Sequence, residues 1–496
     1  MTRSSAMTVK DKVVVVGGGP VGALAALYTA RRGYEVEVYE FRDDPNAPSA
    51  SEGKLALIPV TISERGFRAV ENANVPGLME DISRHSLPVH SRMVHTRDKN
   101  GDLKETSMPY SSNGDRIHIM QRTSIGQRIL LALSKEPNAK VFFDHKLVTC
   151  DLHSKTATFE NVKWKPQDGG LMDSTENMKV SEQTSKDAER TKSVTYDYII
   201  GADGAHSAIR KQLMRETNVD YEQHYVDVLW CDFYLPPGPK GQRKLDEAHL
   251  HVWPDKERVF IVLPEVDGSA RGGMVAPINE FRRLKEHPEE LEAFFDSSYP
   301  GVIPDLLSAE SVKEQFFRRD HLSLMSIKCG KIGWEDSCVL LGDASHTMPP
   351  FYGMGMNTGL EDVRVFFEDF VDPAHREDVY SSINTFCPKG VTKAYTDFRI
   401  PDVQAMTDIA SDHFEELKEG VPGPAVIARK KVESGLQKHV PGLDYVPMYS
   451  RIVFGHERFS VALKKDAQQK ILFAGVLASL CALCVAMLAR AGAGVM

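Results

Sequence analysis

The sequence predicts an α/β fold, on three observations. A four-valine run, Val13 to Val16, leads through a glycine-rich turn and a helix-forming stretch to a second alternating run, Glu35 to Glu40, the order of a βαβ unit. Two later apolar runs, Tyr196 to Ala202 and Cys338 to Gly342, each deliver an aspartate, Asp203 and Asp343, just past a predicted strand. Finally, 496 residues with 42% hydrophobic and 26% charged side chains can bury a sizeable core, which excludes wholesale disorder, collagen and a polytopic membrane protein.

The first unit reads as a dinucleotide site. Gly17 permits a tight turn, Gly19 lets backbone approach a pyrophosphate, and Gly22 lets the helix pack closely on the strand. The helix start offers free N–H groups and a favourable dipole to a diphosphate. Glu40 ends the second strand, where a carboxylate can accept both hydroxyls of an adenosine ribose; it favours FAD or NAD over NADP without choosing between those two. Asp203 and Asp343 point toward a flavin. An acid after a strand can hold a ribityl hydroxyl, and the helix expected from about Gly355 through Phe370 can stabilise negative charge on a reduced flavin ring. Read alone, either aspartate is equally a turn or helix cap.

His249 to Pro264 and Gly272 to Ala276 read as strands of a second sheet that interrupts the nucleotide domain. The stretch 169–192, polar with no spaced apolar face, reads as a surface insertion. A net charge of −9 without a long basic run argues against nucleic acid as a partner, and the seven cysteines form no disulfide framework. No metal-ligand spacing occurs, so no metal is expected. The N-terminus lacks the apolar segment of a secretory signal. Ile471 to Ala489 carries no charge, follows Lys464, Lys465 and Lys470, and precedes Arg490, so a single C-terminal transmembrane anchor is expected there.

The segments GGGPVG, GADGAHSAIR and LGDASHTMPPFYGMGMNTGLED resemble the three flavin-binding signatures of the single-component FAD-dependent aromatic hydroxylases. Within that group the chain is most similar to the kynurenine 3-monooxygenases, through ERGFRAV at 64–70, LPVHSRMVHT at 87–96, MPY at 108–110, HVWP at 251–254, RIPD at 399–402 and VPMYSRIVFGHERFS at 446–460. The resemblance covers essentially the whole chain. It implies a Rossmann-like FAD-binding domain interleaved with a β-sheet substrate domain, followed by C-terminal helices. The implied limits are a βαβ FAD unit at 1–90, a substrate and flavin contact segment at 91–125, and a continuation of the FAD domain at 126–215. The substrate sheet follows at 216–325, the Gly-Asp segment with its helix at 326–375, a helical region at 376–465 and the anchor at 471–489.

It further implies hydroxylation of L-kynurenine to 3-hydroxy-L-kynurenine in tryptophan degradation and pyridine nucleotide synthesis. Transiently docked NADPH reduces FAD, and O₂ is delivered from a flavin C4a-hydroperoxide. Arg92 and Tyr110 would bind the substrate carboxylate, with Tyr449 a further substrate contact. Arg122 would contact the flavin, and Asp343, Met356 and Asn357 would belong to the loop wrapping the isoalloxazine. No side chain is expected to act as a catalytic acid or base, because the aniline nitrogen activates the ring carbon itself. The tail would place the enzyme on the mitochondrial outer membrane, facing the cytosol. Two departures stand out: Pro59 lies where the family has an Asn-containing run, and Asp412-His413-Phe414 replaces a Tyr-Asn-Tyr run, with His413 standing in for a substrate-touching amide. They leave open a related FAD monooxygenase acting on another anthranilate-like or phenolic metabolite.

Overall fold

The computed structural model describes residues 10–47, 59–111, 113–163, 190–377, 384–419, 446–472, 474, 475 and 482. Two compact units result, Met1–Val421 and Pro422–Met496.

In the first unit, Lys12–Val16 forms the centre of a six-stranded sheet because its four valines are buried on both faces, as a parallel strand requires. It pairs in parallel with Tyr198–Gly201 on one side and Glu35–Tyr39 on the other. Ala139–Phe142 extends the sheet beyond Glu35–Tyr39, and Cys338–Leu340 beyond Tyr198–Gly201, both in parallel. The short strand Gly333–Trp334 closes the edge in antiparallel. The helix Pro20–Arg31 starts with proline at its first turn, where a missing N–H costs nothing, and buries Ala23 to Ala30. All strands that end in the glycine turn or in the two aspartates therefore lie side by side.

A seven-stranded sheet runs in the order Leu322–Cys329, Tyr221–Leu235, Ala270–Pro277, Arg258–Pro264, His249–Asp255, Ser91–Arg97, Leu103–Pro109. Five of its six strand pairings are antiparallel; the exception is the parallel seam between His249–Asp255 and Ser91–Arg97. That seam joins the 91–109 hairpin to strands more than 100 residues downstream, so this sheet is discontinuous in sequence. Phe233, Trp253, Phe260 and Val262 pack on one face with Phe281, Phe295 and Tyr299 from the helices that follow. Alternation then turns Arg92 and its partner Leu250 to the opposite face. The long helix Val391–Glu419 packs against three strands of this sheet and against the short turn Pro350–Tyr352.

The helix expected from Gly355 to Phe370 is an α-helix over Gly355–Arg364 that widens into a π-helix over Val365–Val371. Of the polar stretch 169–192, residues 169–189 lie outside the described residues, and Thr191 already begins a strand, Thr191–Thr195.

In the second unit, Met448–Val453 is a helix and residues 459–472 are helical. Arg451 ties them together, reaching the Val446 carbonyl at 3.2 Å, Gln469 at 2.6 Å and Glu457 at 3.3 Å. The expected transmembrane helix is corrected here: among the described residues no helix is long and apolar enough to cross a membrane. The described helix is too polar, with Lys464, Lys465, Asp466 and Lys470 along it and a Lys470–Asp466 pair at 2.8 Å. Of 471–489, only 471, 472, 474, 475 and 482 are described. Membrane attachment and placement at the mitochondrial outer membrane rested on that helix, and no described helix supports them.

Candidate functional site

At the glycine turn the three glycines do different things. Gly17 has φ +101°, and a Cβ there would lie 2.3 Å from the Ala202 carbonyl. At Gly22 the same atom would meet the Gly17 carbonyl at 1.9 Å. A Cβ on Gly19 would touch nothing within 4 Å, so open space lies at the start of the helix, where N–H groups lack intrahelical partners. Glu40, 5% exposed, accepts the Gly18 N–H at 2.6 Å through Oε2 and the Arg42 N–H at 3.0 Å through Oε1. Its carboxylate thus ties the strand end to the turn beside that space.

Asp203 caps the next helix, Ala208–Glu216: Oδ2 accepts the N–H groups of Ala208 at 2.6 Å and Ile209 at 3.3 Å. Its Oδ1 is buried with no hydrogen-bond partner, and burial pushes the carboxyl above the ordinary aspartate range. Arg210, from the same helix, donates to the Ala344 carbonyl at 2.8 Å and so fastens the Asp203 segment to the Asp343 segment. Asp343 lies 3.8 Å from Arg122, which begins the helix Arg122–Leu133. Two residues chosen for flavin contact, 221 positions apart in the chain, thus face one another.

Asn357 is fully buried and its amide is spent on protein. Oδ1 accepts the Ser63 N–H at 2.9 Å, and Nδ2 donates to the carbonyls of Thr61 and Gly353, each at 2.8 Å. The side chain therefore fixes the start of helix Gly355–Arg364 against strand Pro59–Ile62. Met356 packs against the main core.

The hairpin Ser91–Arg97 and Leu103–Pro109 sets Arg92 opposite Met108 and brings Tyr110 beside it. The two side chains are hydrogen-bonded; burial pushes the Tyr110 phenol up to about 12, against the pull of the guanidinium. His413 sits on the long helix, 7% exposed, with Nδ1 2.9 Å from Glu416 and its ring centroid 4.7 Å from that of Tyr352. Its neighbour Phe414 stacks on Phe351 at 4.1 Å. Tyr449 belongs to the second unit, on Met448–Val453, edge-on to Phe454.

One constellation was not foreseen. Arg65 pairs with Glu361 at 2.6 Å, Glu361 with Arg399 at 2.9 Å, Arg399 with Asp362 at 2.8 Å, and Asp362 with His346 at 2.6 Å, all of them buried. Each residue lies in a segment already noted for its resemblance, but separations from 16 up to 296 residues carry no sign of mutual contact. For Glu361 and Asp362, burial pushes upward and is outweighed by the surrounding cations and donors, leaving both below the ordinary carboxylate range. Among the described residues there is no cluster fit to hold a metal ion.

A family profile described as an FAD binding domain matches residues 10–371. Kynurenine 3-monooxygenase of Aspergillus terreus is 38% identical over 94% of this chain and 89% of its own length. That of Chaetomium globosum is 38% identical over 95% of this chain and 97% of its own. Among solved structures, a probable FAD-dependent monooxygenase from Pseudomonas aeruginosa superposes with a TM-score of 0.58 at 19% identity, covering 82% of this chain and 96% of that one. The tetrameric 2-methyl-3-hydroxypyridine-5-carboxylic acid oxygenase superposes with a TM-score of 0.59 at 16% identity, covering 90% and 96%. These two share the fold. The sequence likeness goes further: this chain belongs to the kynurenine 3-monooxygenase family.

Proposed function

We propose that this chain is an FAD-dependent monooxygenase that hydroxylates L-kynurenine to 3-hydroxy-L-kynurenine, consuming NADPH and O₂. Family membership over nearly its whole length is the observation that carries the reading. The residues present suit FAD: there is open space at Gly19 before a helix start, an orphaned buried oxygen on Asp203, and a cationic Arg122 beside Asp343. FAD, when bound, supplies electron transfer from NADPH and activation of O₂. The Gly17–Gly22 turn would hold its diphosphate, Glu40 its adenosine ribose, and Arg122, Asp343 and the backbone at Met356 and Asn357 its ring system.

Arg92 donates its planar fork to the substrate carboxylate, and Tyr110 adds a neutral donor. Their mutual hydrogen bond holds the fork in place before substrate arrives, which reduces the entropy lost on binding. The ring carbon ortho to the aniline nitrogen is electron-rich, so the protein's work is to orient that ring and exclude water. His413 adds a further proposed substrate contact. A second reading, an anthranilate-like or phenolic substrate, is favoured by one observation: the His413–Glu416 pair puts an acid-linked imidazole where the resemblance has an amide.

The test is NADPH consumption by FAD-loaded protein with and without L-kynurenine, with the product's mass and ring position determined. Stimulated consumption with one oxygen added ortho to the amine is the expected result. Bound flavin that ignores kynurenine would turn the assignment to the second reading.

A further inference from the structure

The buried charge network holds an arrangement that the reading above does not use. Asp362, 1% exposed, lies in helix Gly355–Arg364. Its Oδ2 accepts both the Gly342 N–H at 2.9 Å and His346 Nε2 at 2.6 Å, while Oδ1 accepts Arg399 Nε at 2.8 Å. Gly342 is the residue before Asp343; it has φ +60°, and a Cβ there would press on Val21 at 3.1 Å. One carboxylate therefore hangs the Gly342–Asp343 turn from the helix whose start lies two turns away. His346 closes the same turn by donating its own N–H to the Gly342 carbonyl at 3.0 Å. The imidazole is itself 1% exposed, and its Nδ1 has no hydrogen-bond partner, so Asp362 is the ring's polar tether. A buried imidazole with one nitrogen unpaired is costly to keep.

We propose that His346 is a positioning residue for the bound flavin: through its hydrogen bond to Asp362 it fixes the Gly342–Asp343 turn against helix Gly355–Arg364. The proposal rests on reading Asp343 and that helix start as the flavin's surroundings. Without the Nε2 donor, the Asp362 charge is less offset where it faces the turn, and the carboxylate that anchors Gly342 is held in place only by Arg399. Reduction of the flavin to its anionic form then becomes harder, and the cofactor is held less firmly.

The experiment measures the FAD dissociation constant and the flavin's two-electron midpoint potential in purified wild type, His346→Leu, His346→Gln and Asp343→Ala. His346→Leu is expected to weaken FAD binding at least tenfold and to shift the reduced-to-oxidised ratio tenfold toward oxidised, about 30 mV for a two-electron couple. His346→Gln, which can still donate to Asp362, is expected to stay close to wild type. Should His346→Leu fail to fold, Asp362→Asn takes its place: it removes the charge, and the potential must move the opposite way. An unchanged potential in the folded variant, or an equal shift in the Gln and Leu variants, overturns the proposal. If Asp343→Ala also leaves both quantities unchanged, the reading beneath the proposal fails as well; if Asp343→Ala alters them and His346→Leu does not, only the proposal fails.

Discussion

Replacing His95 by phenylalanine should remove about half of the acid sensitivity conferred by two buried histidines. His95 Nε2 lies 2.9 Å from His251 Nδ1, His251 Nε2 lies 2.9 Å from the Asp246 carbonyl, and His95 stacks on Trp253 at 4.0 Å. Burial, with repulsion from neighbouring imidazoles, lowers His95 to about 3; burial lowers His251 to about 4 despite the Asp246 carbonyl. Both folded values lie below the unfolded 6.5, so the unfolded chain binds protons first as pH falls. The stability is present above about pH 6.5 and drains away as pH drops toward the folded values. At about pH 5 each unfolded imidazole has gained about 1.5 pH units of binding free energy that the folded one has not, or about 2 kcal/mol apiece and about 4 kcal/mol together. For a cooperative unit of the size of Met1–Val421 that lowers Tm by about 4–5 °C.

Phenylalanine keeps the stack on Trp253 and removes one titration. It leaves His251 Nδ1 without its partner, a penalty common to both pH values that cancels in the difference. Thermal unfolding of wild type and His95→Phe at pH 7.5 and 5.0 should then show the variant losing about 2 kcal/mol less than wild type between the two. Groups that do not touch His95, His118 among them, are common to both proteins and cancel, while Glu105, 3.3 Å from His95 Nδ1, loses that partner in the variant. Equal losses in the two proteins would refute the view that this pair is held neutral by its burial.

The remaining predictions concern binding and the buried charges. Arg92→Met should raise the KM for L-kynurenine about 10–100-fold, the worth of one charge-assisted hydrogen bond, with FAD retained; unchanged KM would remove its carboxylate role. Gly22→Ala should abolish FAD binding, since its Cβ would sit 1.9 Å from a backbone carbonyl that has no room to retreat, and a flavin-bound variant would show that the turn can shift. Arg399→Leu strands Glu361 and Asp362 and should destabilise the fold by about 3–5 kcal/mol, read by chemical denaturation; a loss below about 1 kcal/mol would mean those acids find other partners.

The βαβ unit was legible because its signals are local: four valines, three glycines at fixed spacing and a glutamate at the strand end all act within 30 residues. The seven-stranded sheet was legible only in part, since His249 to Pro264 reads as strand from its own alternation, while its parallel seam with Ser91–Arg97 depends on a partner chosen in three dimensions. Asn357 illustrates a different limit. Its place in the loop came from the motif, yet the use of its amide on Thr61, Ser63 and Gly353 is set by a strand nearly 300 residues away. The tail expectation rested on an uncharged run alone, and among the described residues no helix is long and apolar enough to cross a membrane.

By itself the sequence determined the nucleotide-binding unit, the order of the flavin-facing segments and the family, because hydrophobic period, glycine geometry and motif spacing act over short distances. Tertiary structure decided which distant segments meet: Arg122 with Asp343, Arg92 with Tyr110, and the chain of charges from Arg65 to His346. The physical reason is that a buried charge is stable only with a partner in place, and the chain can supply that partner from any point that folding brings within hydrogen-bond reach.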